Sequence, residues 1–366
     1  MQSWKNYISL KLNGINYSSE DLIKFSVDKV GLSGTSEWEK SIFRFILEWL
    51  GPQDNIEVKT SGSTGQPKAI QLEKDRMVSS AKATNSFFEL KENNTVLLCL
   101  SAEYIAGKMM IVRAFVGGFD MHISEPSRDV LSENKTNFDF VAVVPLQLED
   151  VFIQKKSESL NKIKQIIVGG AAVSSALCLK LDNCSTEIWS TYGMTETITH
   201  IALQKINGKD KTDYFQALPN VYFDVDKRDC LCILAPKIHP EEIVTNDKVE
   251  LINYKQFRFL GRADFVINSG GIKVSPELIE KKIALLIGFN NVISSKKDKE
   301  LGEKVVLIID AEKQSENWIA NLKINLEKAL ERFERPKEIH FISELPKTKT
   351  GKLDRKALKK WLETIK

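Results

Sequence analysis

Thr60-Ser61-Gly62-Ser63-Thr64-Gly65-Gln66-Pro67-Lys68 is the stretch on which the reading of this chain turns. Four hydroxyl side chains, two glycines and a lysine fall within it. Hydroxyls and glycine N–H groups can wrap phosphate oxygens, and the Lys68 ammonium can neutralise one. The spacing is not that of a Walker A loop, which needs Gly-x4-Gly-Lys-Ser/Thr. Taken alone, a Ser/Gly-rich surface turn explains it almost as well.

The surrounding chain has 366 residues, a length that suits one large unit with a smaller one. Its 42% hydrophobic content supports a real core, and its net charge of +3 gives no sign of nucleic acid or a membrane surface as partner. Five scattered cysteines (Cys99, Cys178, Cys184, Cys230, Cys232) lack the spacing of a zinc knuckle or redox pair. They read as buried thiols in a reducing compartment. With no signal-peptide core and no apolar run of bilayer length, the cytoplasm is the expected location.

Hydrophobic periodicity predicts helices over Ser36–Leu50, Lys74–Leu90, Gly107–Val116 and Ser174–Leu181, the first opened by a Ser36/Glu39 capping box. Between them, Thr95–Leu100, Phe119–Ile123, Phe138–Val144, Gln165–Val168 and Glu187–Ser190 read as short buried strands. That alternation predicts a layered α/β core with mainly parallel strands. From Phe215 to Phe259 the pattern shortens to antiparallel strands and turns. After Arg262 it changes again: Ser275-Pro276 opens a helix, Lys304–Ile309 is a strand, and Glu316–Phe333 and Asp354–Thr364 are helices. The expected division is a large unit, 1–263, and a small α+β unit, 264–366, joined by a hinge. The small unit has five more basic than acidic residues, leaving the rest at −2.

Four more segments carry chemistry. Gly169-Gly170-Ala171-Ala172 follows a strand and lets a flat ligand approach the backbone. Ser190-Thr191-Tyr192-Gly193-Met194-Thr195-Glu196 also sits at a strand end, where ligands of α/β sheets collect. Tyr192 offers a stacking face, Gly193 close approach, and Thr195 with Glu196 hard oxygen ligands for Mg2+; a helix N-cap at Thr195 is the structural alternative. Thr245-Asn246-Asp247, followed by Gly261-Arg262-Ala263-Asp264, supplies a carboxylate suited to a ribose diol. Last comes Thr348-Lys349-Thr350-Gly351-Lys352-Leu353-Asp354-Arg355, where a lysine beside glycine can enter a site as a point charge.

Together and in this order the motifs resemble the adenylate-forming superfamily of acyl-CoA synthetases, peptide-synthetase adenylation domains and luciferases. The resemblance runs from about Thr60 to Arg355. It implies ATP, Mg2+ and CoA as cofactors, a small-molecule carboxylic acid as partner, and two half-reactions: acyl-AMP formation, then transfer to a thiol. By resemblance, Thr60, Ser61, Gly62, Ser63, Thr64, Gly65 and Lys68 cradle pyrophosphate, while Gly170, Ala171, Ala172, Tyr192 and Gly193 hold adenine. Asp247 and Arg262 serve the ribose side, with Asn246 where relatives have glycine. Thr195 and Glu196 serve the metal, Lys352 bridges the α-phosphate and carboxylate, Asp264 is the hinge, and Gly270-Gly271 line the CoA tunnel.

Within the superfamily, the text and the short stretch before Thr60 look most like an o-succinylbenzoate–CoA ligase of menaquinone synthesis. The alternatives are another aryl or short-chain acid, a carrier-protein acceptor, or a non-catalytic nucleotide-binding module. Tyr104, Lys108, Gly169, Met194 and His200 are the expected acyl-pocket residues. Lys108 is favoured over Arg113, on the same predicted helix, as the cation for a second substrate carboxylate. A homodimer is left open.

Overall fold

The computed structural model describes residues 3–59, 69–133, 135–348 and 353–365. The hydroxyl-rich loop, Thr60 to Lys68, and Lys352 lie outside the described residues.

Along the chain, a short hairpin (β1, Leu10–Leu12; β2, Ile15–Tyr17) precedes helices α1 (Ser19–Gly31) and α2 (Glu37–Leu50). A second hairpin, β3 (Asn55–Lys59) with β4 (Ala69–Glu73), leads into α3 (Lys74–Phe87). Strand and helix then alternate through β5 (Thr95–Leu98), α4 (Ile105–Gly117), β6 (Asp120–Ile123), β7 (Phe138–Val143), α5 (Pro145–Ile153), β8 (Ile163–Val168), α6 (Ser175–Leu181) and β9 (Glu187–Gly193). Six strands follow without a helix: β10 (His200–Lys205), β11 (Phe215–Ala217), β12 (Tyr222–Val225), β13 (Cys230–Leu234), β14 (Ile243–Asn253) and β15 (Gln256–Arg262). Beyond a 3-10 turn at Ala263–Phe265 come β16 (Ile267–Ser269), β17 (Ile272–Val274), α7 (Pro276–Ile287), β18 (Asn291–Asp298), β19 (Gly302–Asp310), α8 (Glu316–Ala329), β20 (Glu338–Ile342) and α9 (Arg355–Thr364).

Among the described residues thirteen strands form one sheet, ordered β12-β13-β14-β15-β11-β10-β9-β8-β7-β5-β6-β1-β2. From β9 through β8, β7, β5 and β6 to β1 the strands are parallel, as the alternation predicts. From β9 to β12 they are antiparallel, as the shorter pattern after Phe215 predicts, and these strands extend the same sheet. Apolar side chains of α2, α3 and α4 pack on one face of the sheet, those of α5 and α6 on the other. A second sheet, β17-β16-β19-β18 with β20 on β19, packs α7 and α8 on one face and α9 on the other. No helix among the described residues is long and apolar enough to cross a membrane.

Ser36 occupies the N-cap of α2 but makes no side-chain cap bond, so the capping box read from sequence does not form. At the other end, the wholly buried Lys74 ammonium donates to the carbonyls of Trp49 (2.8 Å) and Gly51 (2.9 Å), closing carbonyls that the helix leaves without partners. It also lies 3.9 Å from the Trp4 ring centroid.

Candidate active site

The parallel strands β7, β8 and β9 bring their carboxyl ends to one edge, where an α/β sheet collects ligands. Gly169 follows β8, its N–H bonded to the Val143 carbonyl, and Gly170, Ala171 and Ala172 beyond it are exposed. On the neighbouring strand, Gly193 has a structural reason of its own. A Cβ there would sit 2.3 Å from the Thr199 carbonyl, so the β9–β10 connection closes only over glycine.

No helix starts at Thr195. Residues 194–199 form a hairpin connection held by the buried Thr197 hydroxyl, which accepts from the Met194 N–H (2.9 Å) and lies 2.8 Å from the Thr199 carbonyl. Ile198, buried, is forced to φ +66, a strained value for a β-branched residue. Met194 packs against the core, Thr195 is half-buried and Glu196 is exposed. No group of three or more His, Cys, Asp or Glu side chains among the described residues could cage a metal. Exposed Glu196 beside Thr195 fits Mg2+ in its usual manner, with one or two protein oxygens and the rest from phosphate and water.

Three motifs far apart in sequence converge beside this loop. The Tyr192 hydroxyl donates to Asp247 Oδ2 at 2.5 Å, and Arg262 Nη1 donates to Asp247 Oδ1 at 2.9 Å. The other end of that guanidinium donates to Asp264 Oδ2 at 2.8 Å. The pairing of Asp247 with Arg262 follows from register, since they are opposite on β14 and β15. Burial, and then the Asp247 carboxylate, push the Tyr192 hydroxyl above its ordinary range, so it stays a donor. Its ring is held among Phe215, Phe257 and Phe259. An ionised carboxylate has about four acceptor positions. Tyr192 and Arg262 take one on each oxygen, which leaves room for a diol. Asn246, in the place of a glycine, is tied down by Arg228 (2.9 Å).

Of the expected acyl-pocket residues, Tyr104, Lys108 and His200 have distinct surroundings. Tyr104 is exposed at the N-cap of α4. The Lys108 ammonium lies 3.4 Å from Glu48 and 3.5 Å from the Glu57 carbonyl, over the Phe45 ring. It faces α2, and that charge is already paired. His200 is buried with Nε2 at 3.1 Å from Thr84 Oγ1, and burial, then nearby Arg113, hold it well below the ordinary histidine range, hence neutral.

Arg113 is the residue that the sequence reading passed over. It is 2% exposed on α4, and its Nε and Nη2 find no hydrogen-bond partner among the described residues. Burial alone pushes its pKa down to about 9. Ser80 Oγ and Asn85 Oδ1, on α3, are likewise buried without partners, and Asn85 Nδ2 donates to the Arg113 carbonyl at 3.3 Å. The signal was present: Ile111, Val112, Ala114 and Phe115 surround Arg113 with apolar residues, marking a helix buried all round.

In the second sheet, Gly270 and Gly271 (φ +62 and +82) make the two-residue turn between β16 and β17, where both central positions require positive φ. Among the described residues, open space surrounds the side-chain position of Gly271. The flanks of the Lys352 segment are joined by a Lys347–Leu353 bridge and by the Asp354 N–H bonding the Pro346 carbonyl at 2.8 Å. Asp354 caps α9 through its Oδ1. The five cysteines are free thiols, and burial pushes Cys99 up to about 12.

Comparison with known proteins agrees with this geometry. The AMP-binding enzyme profile matches residues 59–229, and the AMP-binding enzyme C-terminal domain profile matches residues 291–352. A 2–succinylbenzoate–CoA ligase of Haemophilus influenzae is 27% identical over 83% of this chain and 70% of its own length. The crystal structure of an acyl-CoA synthetase (AMP-forming)/AMP-acid ligase II-like protein from Dyadobacter fermentans superposes with TM-score 0.61 at 32% identity, covering 91% of this chain and 97% of the other. An O-succinylbenzoate coenzyme A synthetase from Bacillus subtilis, in complex with ATP and magnesium ion, shares the fold with TM-score 0.70 at 18% identity, over 95% and 83% of the two chains. Two matched profiles and a relative covered almost end to end leave one conclusion: the chain belongs to the AMP-binding enzyme family.

Proposed function

We propose that this acid–thiol ligase takes 2-succinylbenzoate, joins it to AMP with ATP, and passes the acyl group to CoA. The observation that carries the choice of acid is Arg113, a buried guanidinium with two nitrogens unpartnered among the described residues. A buried charge is stable only when paired. 2-Succinylbenzoate has a second carboxylate that does not react, and that group would supply the missing partner. The name of the Haemophilus influenzae relative points to the same acid.

A carboxylate resists nucleophiles, and oxide is too poor a leaving group to be displaced. Attack of the substrate carboxylate on the ATP α-phosphorus removes both obstacles, forming acyl-AMP and releasing pyrophosphate. Positioning and charge stabilisation are what such a step asks of a protein. Asp247 would hold the ribose diol, with Gly170, Ala171, Ala172 and Tyr192 around adenine. Thr195 and Glu196 would hold Mg2+, which neutralises phosphate charge when bound. Thr60–Lys68 would receive the pyrophosphate, and Lys352 would bridge the carboxylate and α-phosphate. The unit 264–366 would then turn about Asp264, withdraw Lys352, and present the Gly270-Gly271 turn to CoA, whose thiol displaces AMP.

The test is a panel of acids incubated with ATP, Mg2+ and CoA and read by mass, alongside ATP–pyrophosphate exchange. Succinylbenzoyl-CoA should form well ahead of benzoyl-CoA. Equal use of benzoate would remove the substrate assignment. Exchange without any CoA product would point to a carrier-protein acceptor, and no exchange at all would leave only a nucleotide-binding module.

A further inference from the structure

Ser275 stands at the N-cap of α7, where a serine normally accepts from the helix's first N–H groups, yet it makes no cap bond. Its hydroxyl donates instead to the carbonyl of Leu260 on β15, at 2.6 Å, with Glu277 Oε2 at 3.2 Å. A capping group has thus been turned outward to tie the small sheet's first helix to the last strand of the large sheet. The contact depends on Gly261 (φ +129), because a Cβ there would lie 2.4 Å from Ser275 Oγ and 2.5 Å from Glu277 Oε2.

A second tie lies beside it. The Phe265 ring has the Arg262 guanidinium carbon 5.9 Å from its centroid and that of Arg355 at 5.3 Å. Arg355 is anchored within the small unit: Nη1 donates to the Ile293 carbonyl, and Nη2 lies 2.9 Å from both oxygens of Glu280. Arg262 ends the large sheet and holds Asp247. Phe265 therefore rides with the small unit through Arg355 and touches the large one through Arg262. Turning the chain at Asp264 must part Phe265 from Arg262 and Ser275 from Leu260.

We propose that Ser275 and Phe265 are positioning residues, which together latch the small unit in this pose and so set the partition between the two half-reactions. The proposal rests on the two-step reading above.

The experiment compares Phe265→Leu, which keeps apolar bulk but deletes the ring face, with Phe265→Tyr, which restores it, and with Ser275→Ala, which loses no cap bond. ATP–pyrophosphate exchange reports the first half-reaction, and thioester formation from supplied acyl-AMP and CoA reports the second. F265L should change the ratio of the two rates by roughly threefold to thirtyfold, the span expected for one cation–π contact, and S275A by roughly twofold to tenfold, that of one neutral hydrogen bond. F265Y should return the ratio to that of the unaltered protein. An unchanged ratio, or an equal loss in both half-reactions, overturns the latch while leaving the two-step reading in place. Absence of exchange in the unaltered protein removes that reading, and the latch with it.

Discussion

The Tyr192 hydroxyl and the Asp247 carboxylate meet at 2.5 Å, although they belong to strands 55 residues apart in sequence. Arg262 holds the other carboxylate oxygen, so the group that would bind ribose is fixed before nucleotide arrives. Tyr192→Phe removes one donor to a charged acceptor, a bond that contributes about 1.5–3 kcal/mol. Denaturant unfolding should show a loss within that range, and KM for ATP should rise. Asp247→Ala, which strands both Tyr192 and Arg262, should cost more than Tyr192→Phe in both measurements. The opposite order would show that Asp247 is not the centre of the cluster.

Arg113 predicts a gain and a loss from one substitution. Replacing even a paired buried charge by apolar side chains often stabilises by about 1–4 kcal/mol, and Arg113→Met, which removes a charge with two unpartnered nitrogens among the described residues, should gain stability of that order. The same change should raise KM for 2-succinylbenzoate roughly tenfold to a hundredfold, the worth of a charged hydrogen bond, and leave KM for benzoate unmoved. A less stable Arg113→Met protein with unchanged KM would mean that Arg113 packs and does nothing else.

Lys74 gives a pH dependence of definite sign. Burial, against smaller opposing effects of Glu48 and Asp54, lowers its pKa from 10.5 to about 8 in the folded chain. Between those values the unfolded chain keeps a proton that the folded chain has shed, so this group's contribution to stability rises with pH. Below pH 8 the full penalty of the buried charge is present. The stability difference between the unaltered protein and Lys74→Met should therefore climb by up to roughly 3 kcal/mol from pH 8 to 10.5. A flat difference over that window would contradict the burial of the charged form.

Lys352→Ala should cut acyl-AMP formation by about 10²–10³-fold, as expected for a lost charge-stabilising group. Thioester formation from supplied acyl-AMP should survive. Equal survival of both half-reactions would take Lys352 out of the adenylation chemistry.

The layered order β5 to β9 and the chemistry of the Tyr192, Asp247 and Arg262 segments were legible in the chain itself. Periodicity and motif order are local properties, and each strand, turn or helix reports its own type through its nearest neighbours. Helix ends were less legible. Ser36 and Ser275 both have cap-forming identities, but a hydroxyl bonds to whichever acceptor or donor lies nearest. For Ser275 that acceptor is Leu260, brought in by another strand. The choice between Lys108 and Arg113 has the same origin. Both are cations on α4, five residues apart; apolar neighbours mark Arg113 as buried, but nothing in the local pattern tells which cation meets Glu48 and which is left without a partner on two nitrogens among the described residues. Charge pairing and desolvation depend on what arrives from distant segments, so the tertiary structure alone decided them.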